Sequence, residues 1–91
     1  GIGVSNPGKL LDLQSKDALA IRFYNSTTFK AGIEVATTAG QMIATSAVDD
    51  LCFRGQENLL FSTDGNTERM RIDSSGNVGI GTTSGDVLLK T

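Results

Sequence analysis

The residues of this chain that could do chemistry are its carboxylates, its one thiol and a few glycine-rich segments. The 91 residues include no histidine and a single cysteine, Cys52. Without histidine the chain lacks the usual general base, and nucleophilic sites that pair Ser or Cys with His are excluded. One cysteine forms no intrachain disulfide, and zinc would lack its usual ligands. We therefore expect Cys52 to be a small buried apolar residue, and we expect neither a metal nor another cofactor.

Paired carboxylates could hydrolyse glycosidic bonds, which requires two carboxyl groups about 5–9.5 Å apart in a sugar-binding cleft. The candidate acids for this role are Asp49, Asp50, Glu57, Asp64 and Glu68. Aromatic residues make up only 5% of the chain and tryptophan is absent, so little could line a sugar groove. We interpret these acids as solvated turn residues and predict no enzyme, with a polysaccharide depolymerase fragment as the third hypothesis.

Two other motifs predict turns rather than ligand sites. Gly3–Lys9 has the spacing of a phosphate-binding loop, but Leu10 stands where a magnesium-binding hydroxyl belongs and Pro7 removes one N–H donor. The oxygens of 64–66 and 73–77 could hold calcium loosely, yet neither segment has the ligand spacing of an EF-hand. We expect no nucleotide or calcium at these segments.

A candidate contact patch consists of Arg22, Tyr24 and Lys30, which flank a turn predicted at residues 25–27. An aromatic ring with hydrogen-bond donors beside it suits carbohydrate binding. The sequence Asn25-Ser26-Thr27 is also formally a glycosylation acceptor and is equally typical of a turn.

Charge and hydropathy argue against two classes of partner. Eight Lys and Arg stand against ten Asp and Glu, giving a formal charge of -2, whereas nucleic-acid binding needs a basic patch. No apolar run approaches the roughly 20 residues of a membrane span, and no signal peptide opens the chain. We predict no nucleic-acid partner and no membrane insertion. Because the chain starts with Gly1, we expect it to be part of a longer protein.

Apolar and polar residues alternate along much of the chain, as in Phe29–Val35, and this period of two predicts an all-β fold. Turn residues recur about every ten positions. Asp64-Gly65 predicts a type I′ turn with positive φ at both positions, and Gly76 predicts a left-handed loop residue. The predicted strands are residues 9–13, 18–24, 28–37, 41–47, 51–54, 59–62, 68–72, 78–80 and 87–89.

Two features differ from an ordinary β-sandwich. Pairs such as Leu10-Leu11 and Leu59-Leu60 place apolar side chains on both faces of a strand, which must then be covered on two sides. A single chain of this size hides only about 60–65% of its unfolded surface. The pattern of Gly1–Gly3 followed by two leucines also recurs 78 residues later, at Gly79–Gly81. We therefore expect a unit that is tiled along an axis and shares its core with copies of itself.

Residues 58–84 resemble the shaft of bacteriophage tail fibres and tail spikes, of the kind that precedes an intramolecular chaperone domain. The most specific part is Thr67–Asp73 running on to Gly76–Thr83. The opening Gly1–Gly3 is similar to the same boundary element of a preceding unit. Gly85 departs from the family, which usually has proline there.

The resemblance implies an elongated, intertwined homotrimer in which triple β-helix boundary elements flank a section like a β-sandwich or prism. The boundary elements would be residues 1–13 and, with a hairpin, residues 67–91, and the β-rich central section would be residues 14–66. The side chains implied at the threefold axis, as the trimer core, are Ile2, Leu10, Met70, Ile72, Val78 and Ile80.

The function implied is structural. The segment would space and present the receptor-binding surface of a fibre in the virion, after assembly in the host cytoplasm. Its partners would be two further copies and the remaining fibre domains. The alternative is a carbohydrate-binding module, in which the loops at residues 25–27 and 55–58 meet between subunits. Arg22, Tyr24 and Lys30 would contact a bacterial surface glycan there.

Overall fold

A computed structural model of the chain describes residues 2–82, in which all regular secondary structure is β-strand. The strands are β1 Ala20–Asn25, β2 Thr28–Val35, β3 Leu51–Gly55, β4 Leu59–Thr63, β5 Thr67–Ile72 and β6 Val78–Ile80. They form two three-stranded sheets, ordered β1-β2-β3 and β4-β5-β6. The predicted all-β class is confirmed. Across residues 2–82 no helix is long and apolar enough to span a membrane.

The chain divides into two compact units, Gly1–Arg54 and Gly55–Thr91. Sheet 1, built from β1, β2 and β3, belongs to the first unit, and sheet 2, built from β4, β5 and β6, belongs to the second. The three segments expected at 1–13, 14–66 and 67–91 describe roles in an assembly and stay predictions.

In sheet 1, β1 and β2 form an antiparallel hairpin with a β-bulge. Arg22 lies opposite Gly32, but beyond Phe23 the register shifts so that Tyr24 lies opposite Phe29. Lys30 is the extra residue of the bulge. Because residues directly opposite each other share a face, Arg22, Tyr24 and Phe29 project from the same side of the sheet.

In sheet 2, both connections have the backbone conformation that the sequence predicts. Residues 64–66 connect β4 to β5. Asp64 and Gly65 have φ values of 55° and 77°, so both are left-handed, as the central positions of a type I′ turn require. Gly76, in the β5–β6 loop, has a φ of 87°. Within this loop the Asp73 amide donates to the Asn77 carbonyl oxygen at 3.0 Å.

Residues 41–47 are not a strand, and that prediction is wrong. Residues 37–50 instead form a series of turns, with positive φ at Gly40 and Met42. The Gln41 side-chain oxygen accepts hydrogen bonds from the Thr37 amide at 2.8 Å, the Thr37 hydroxyl at 3.0 Å and the Thr38 amide at 3.3 Å. A local side chain thus satisfies backbone groups that a strand would have offered to a neighbour.

The strand predicted at residues 9–13 is also wrong. The Asp12 carboxylate accepts hydrogen bonds from the amides of Gly8 at 2.6 Å and Lys9 at 3.1 Å, which curls this segment into a turn. Only an isolated parallel bridge joins Ile2 to Leu13. The other six predicted strands within residues 2–82 are confirmed, and residues 87–89 lie outside the described part.

The apolar core within residues 2–82 is very small. Its buried apolar side chains are Ala36, with no exposed area, and Cys52, which is 3% exposed, so the expected burial of Cys52 is confirmed. The large apolar side chains that are exposed in this part are Ile2, Leu10, Leu11, Leu13, Ile21, Phe23, Tyr24, Ile43, Val48, Leu51, Phe53, Leu60 and Phe61. Sheet 1 therefore leaves most of its large apolar residues exposed, and in sheet 2 Leu60 and Phe61 are exposed while the other large apolar residues are half-buried.

The bridge between Ile2 and Leu13 depends on a glycine. Gly3 has a φ of 73°, and a Cβ there would overlap the Gln14 carbonyl oxygen. We expect Gly3→Ala to destabilise this bridge by at least about 1–2 kcal/mol, the cost of a left-handed alanine. Hydrogen exchange of the Ile2 and Gln14 amides, which form the bridging hydrogen bonds, measures the effect. Gly8→Ala is the matched control, because its Cβ would meet no atom within 4 Å. Unchanged protection in Gly3→Ala would contradict the prediction.

Candidate functional site

One face of sheet 1 is an open apolar surface. The residues that line a groove of about 230 Å³ there, called the apolar groove below, are Leu13, Leu19, Ala20, Ile21, Ile33, Val35 and Leu51. Ile33 and Val35 are only half-buried, and Leu51 is 60% exposed. Sequence reasoning placed none of these residues in a site, although alternation predicted that Leu19 and Ile21 share one face of their strand, as do Ile33 and Val35.

One face of sheet 2 carries a second apolar surface. Strand register aligns six side chains there, called the apolar row below: Leu59, Ile72, Val78, Phe61, Met70 and Ile80. Four of the six residues predicted for a trimer core thus lie together. The other two, Ile2 and Leu10, lie in the N-terminal segment, where Ile2 is 65% exposed and Leu10 fully exposed. Leu59 and Phe61 were missed because only the register shows that they oppose Ile72 and Met70.

Charged residues of β5 form bonds within their own chain. The Arg71 guanidinium donates two hydrogen bonds of 2.8 Å to the Glu68 carboxylate. This pairing lowers the pKa of Glu68 and raises that of Arg71, because each group stabilises the charged form of the other. Arg69 Nε donates to the Thr63 hydroxyl oxygen at 2.9 Å.

Two further carboxylates hold backbone turns. Asp73 Oδ1 accepts from the amides of Asn77 at 2.9 Å and Ser75 at 3.0 Å. These bonds, led by that from Asn77, lower the pKa of Asp73. Asp50 Oδ2 accepts from the Ala47 amide at 2.9 Å. Among residues 2–82 no three acidic or cysteine side chains are grouped in a way that could hold a metal ion.

The other face of sheet 1 bears a concave site of about 330 Å³, called the contact site below. Its lining residues are Ala18, Ala20, Arg22, Tyr24, Phe29, Glu34, Met42 and Arg54. The structure thus brings together Arg22 and Tyr24 of the predicted contact patch. Lys30, the bulge residue, is not part of the lining. Sequence reasoning missed Phe29, Glu34, Met42 and Arg54, because two of them reach the site only through folding of the loop and β3.

Aromatic and cationic contacts fix the walls of the contact site. The rings of Tyr24 and Phe29 meet edge to face, with centroids 5.7 Å apart. The Arg54 guanidinium lies 5.1 Å from the centre of the Phe29 ring, and its Nη1 donates to the Met42 carbonyl oxygen at 2.8 Å. A Cβ at Gly32 would lie 2.6 Å from Met42 Cε, so the absence of a side chain there makes room for Met42.

Comparisons with protein families, with curated proteins and with solved structures find no match for this chain.

The lowered pKa values of Glu68 and Asp73 predict that the protein loses stability in acid. The folded state holds the pKa values of Glu68 and Asp73 below their ordinary values of 4.5 and 3.8, so it binds fewer protons than the unfolded state. The resulting stabilisation is complete above the ordinary values and is lost as the pH falls below them. We expect the midpoint temperature of thermal unfolding to decrease as the pH is lowered from about 5 to about 3.

The variant Asp73→Asn tests this prediction, because its amide oxygen still accepts hydrogen bonds but does not titrate. It should show a smaller loss of the thermal midpoint in acid than the parent chain. Ser75→Ala serves as the control, since it keeps the Asp73 carboxylate and the Ser75 amide. An acid response in Asp73→Asn equal to that of the control would contradict the assignment.

Proposed function

We propose that this chain is a structural segment of a trimeric bacteriophage tail fibre or tail spike. The observation that carries the proposal is that residues 2–82 bury only Ala36 and Cys52 among their apolar side chains. Fully burying one large apolar side chain stabilises a protein by about 1.5–3 kcal/mol, so accessible rows of them favour association. The resemblance of residues 58–84 to fibre shafts supports three copies as the form of that association.

In the proposed assembly, three chains intertwine about one axis and bury one another's apolar surfaces. Met70, Ile72, Val78 and Ile80 face the axis with Leu59 and Phe61, which share their face of sheet 2. The boundary elements are triple β-helices, and the section between them is like a β-sandwich or prism. Closure around an axis also removes free sheet edges, which otherwise template aggregation.

The role proposed is mechanical rather than catalytic. The segment spaces and presents the receptor-binding surface of the fibre in the virion, after assembly in the host cytoplasm. Its partners are two further copies and the neighbouring fibre domains. Support comes from the use of Glu68, Asp73 and Asp50 as ion-pair and turn residues, since this leaves fewer acids for a depolymerase.

The second candidate function is carbohydrate binding on the same fibre. The observation in its favour is that Arg22 and Tyr24, chosen from sequence as a contact patch, both line the contact site. A bacterial surface glycan is the partner proposed for this function.

The proposed trimer can be tested by measuring the mass of the protein in solution. Sedimentation at micromolar concentration should give three times the 9.5 kDa mass of the chain, because a single copy leaves its apolar surfaces in water. The thermal midpoint should rise with protein concentration, as expected when folding and association are linked. A compact single chain that melts cooperatively at micromolar concentration would refute the proposal.

A charge in the apolar row should prevent assembly. Ile80→Asp places a carboxylate without a partner among apolar side chains, which is costly wherever that surface is buried. We expect sedimentation of this variant to show no trimer. Ser74→Asp introduces the same charge at an exposed loop position of the same unit and should leave the mass unchanged. A trimer of normal mass in Ile80→Asp would place the apolar row outside the interface.

A further inference from the structure

Glu34 lines the contact site and has no hydrogen-bond donor among residues 2–82. The residue is 7% exposed, yet its carboxylate forms none of the hydrogen bonds or ion pairs found among residues 2–82. In that part of the chain no fully buried side-chain oxygen lacks a partner. The Glu34 oxygens therefore reach the open volume of the contact site, where they can accept hydrogen bonds from a ligand.

Two guanidinium groups line the same volume. Arg54 is immobilised by Phe29 and by the Met42 carbonyl oxygen, whereas Arg22 projects from β1 as an exposed side chain. The lining thus contains two guanidinium groups and the one carboxylate of Glu34. A guanidinium group binds a carboxylate through two parallel hydrogen bonds, so the exposed Arg22 favours a ligand that bears a carboxylate.

The remaining walls favour a sugar ring. Tyr24 is 50% exposed and its ring is fixed edge to face by Phe29, which leaves an aromatic surface for the C–H face of a pyranose. A volume of about 330 Å³ is at the lower end of the range for ligand sites, which suits a short saccharide. A phosphate group or a peptide carboxylate would satisfy the arginines but would bring no array of hydroxyl donors to Glu34.

We propose that the contact site binds an acidic saccharide, a pyranose that carries a carboxylate. Its hydroxyl groups donate to Glu34, its carboxylate accepts from Arg22, and its ring lies against Tyr24. This proposal names the ligand class of the second candidate function and rests on it.

The experiment compares a glucuronate-containing trisaccharide with its neutral glucose analogue, titrated calorimetrically into the intact protein. We expect the acidic saccharide to bind at least about tenfold more tightly, because a charge-assisted pair is worth about one decade or more in affinity. Arg22→Gln should lower the affinity for the acidic saccharide about tenfold and change that for the neutral one less than about twofold. Lys16→Gln removes an equal charge from an exposed position of the same unit and should change neither.

Glu34→Gln should weaken the binding of both saccharides, because both have hydroxyl groups that donate hydrogen bonds to the Glu34 carboxylate. Equal binding of the two saccharides by the parent chain would overturn the acidic class and leave carbohydrate binding standing. If neither saccharide binds, both the acidic ligand class and the carbohydrate-binding function would be overturned. Equal losses of affinity for the acidic saccharide in Arg22→Gln and Lys16→Gln would show a general effect of protein charge and overturn the proposal. Sedimentation of each variant reports the trimer independently of these results.

Discussion

The need to cover apolar sheet faces is the constraint on which this structure depends. A sheet with an apolar face must pack that face against another layer to gain stability. In sheet 1 the covered residues of β2 are Gly32 and Glu34, whereas Ile33 and Val35 are only half-buried. Along β2 the buried residues are thus the smaller and more polar ones, whereas the more apolar residues remain partly accessible. This distribution is opposite to that of a self-sufficient domain, and it is the reason for proposing shared burial.

The loop of residues 37–50 explains how the polar face becomes covered. Its turns are held by Gln41 and by Ser46, whose hydroxyl donates to the Gln41 carbonyl oxygen at 2.9 Å. The loop returns the chain to β3 through hydrogen bonds between Ala36 and the residues Asp49 and Asp50. Met42 then lies over Gly32 and forms one wall of the contact site. One loop therefore both covers Gly32 and builds one wall of the concavity.

Much of the fold could be predicted from sequence, because alternation and turn residues are local signals. The left-handed turn at Asp64-Gly65 follows from residue type alone. Residues 41–47 were mistaken for a strand because their side chains satisfy backbone donors locally, which no alternation pattern reveals. The contact site could be found only in part. Arg22 and Tyr24 are neighbours on β1, but Arg54 joins them through strand pairing, and a bulge moves Lys30 out of the lining.

The alternation of side chains along β2 has a consequence for how this sequence can change during evolution. Gly32 and Glu34 project toward the concavity, while Ile33 and Val35 project toward the apolar groove. Adjacent residues of β2 therefore belong to two different surfaces of the sheet. If the ligand and the neighbouring copy use opposite sides of the sheet, recognition can diversify while self-association is conserved. Single substitutions on one side of the sheet could then change what is bound there without producing variants that fail to assemble.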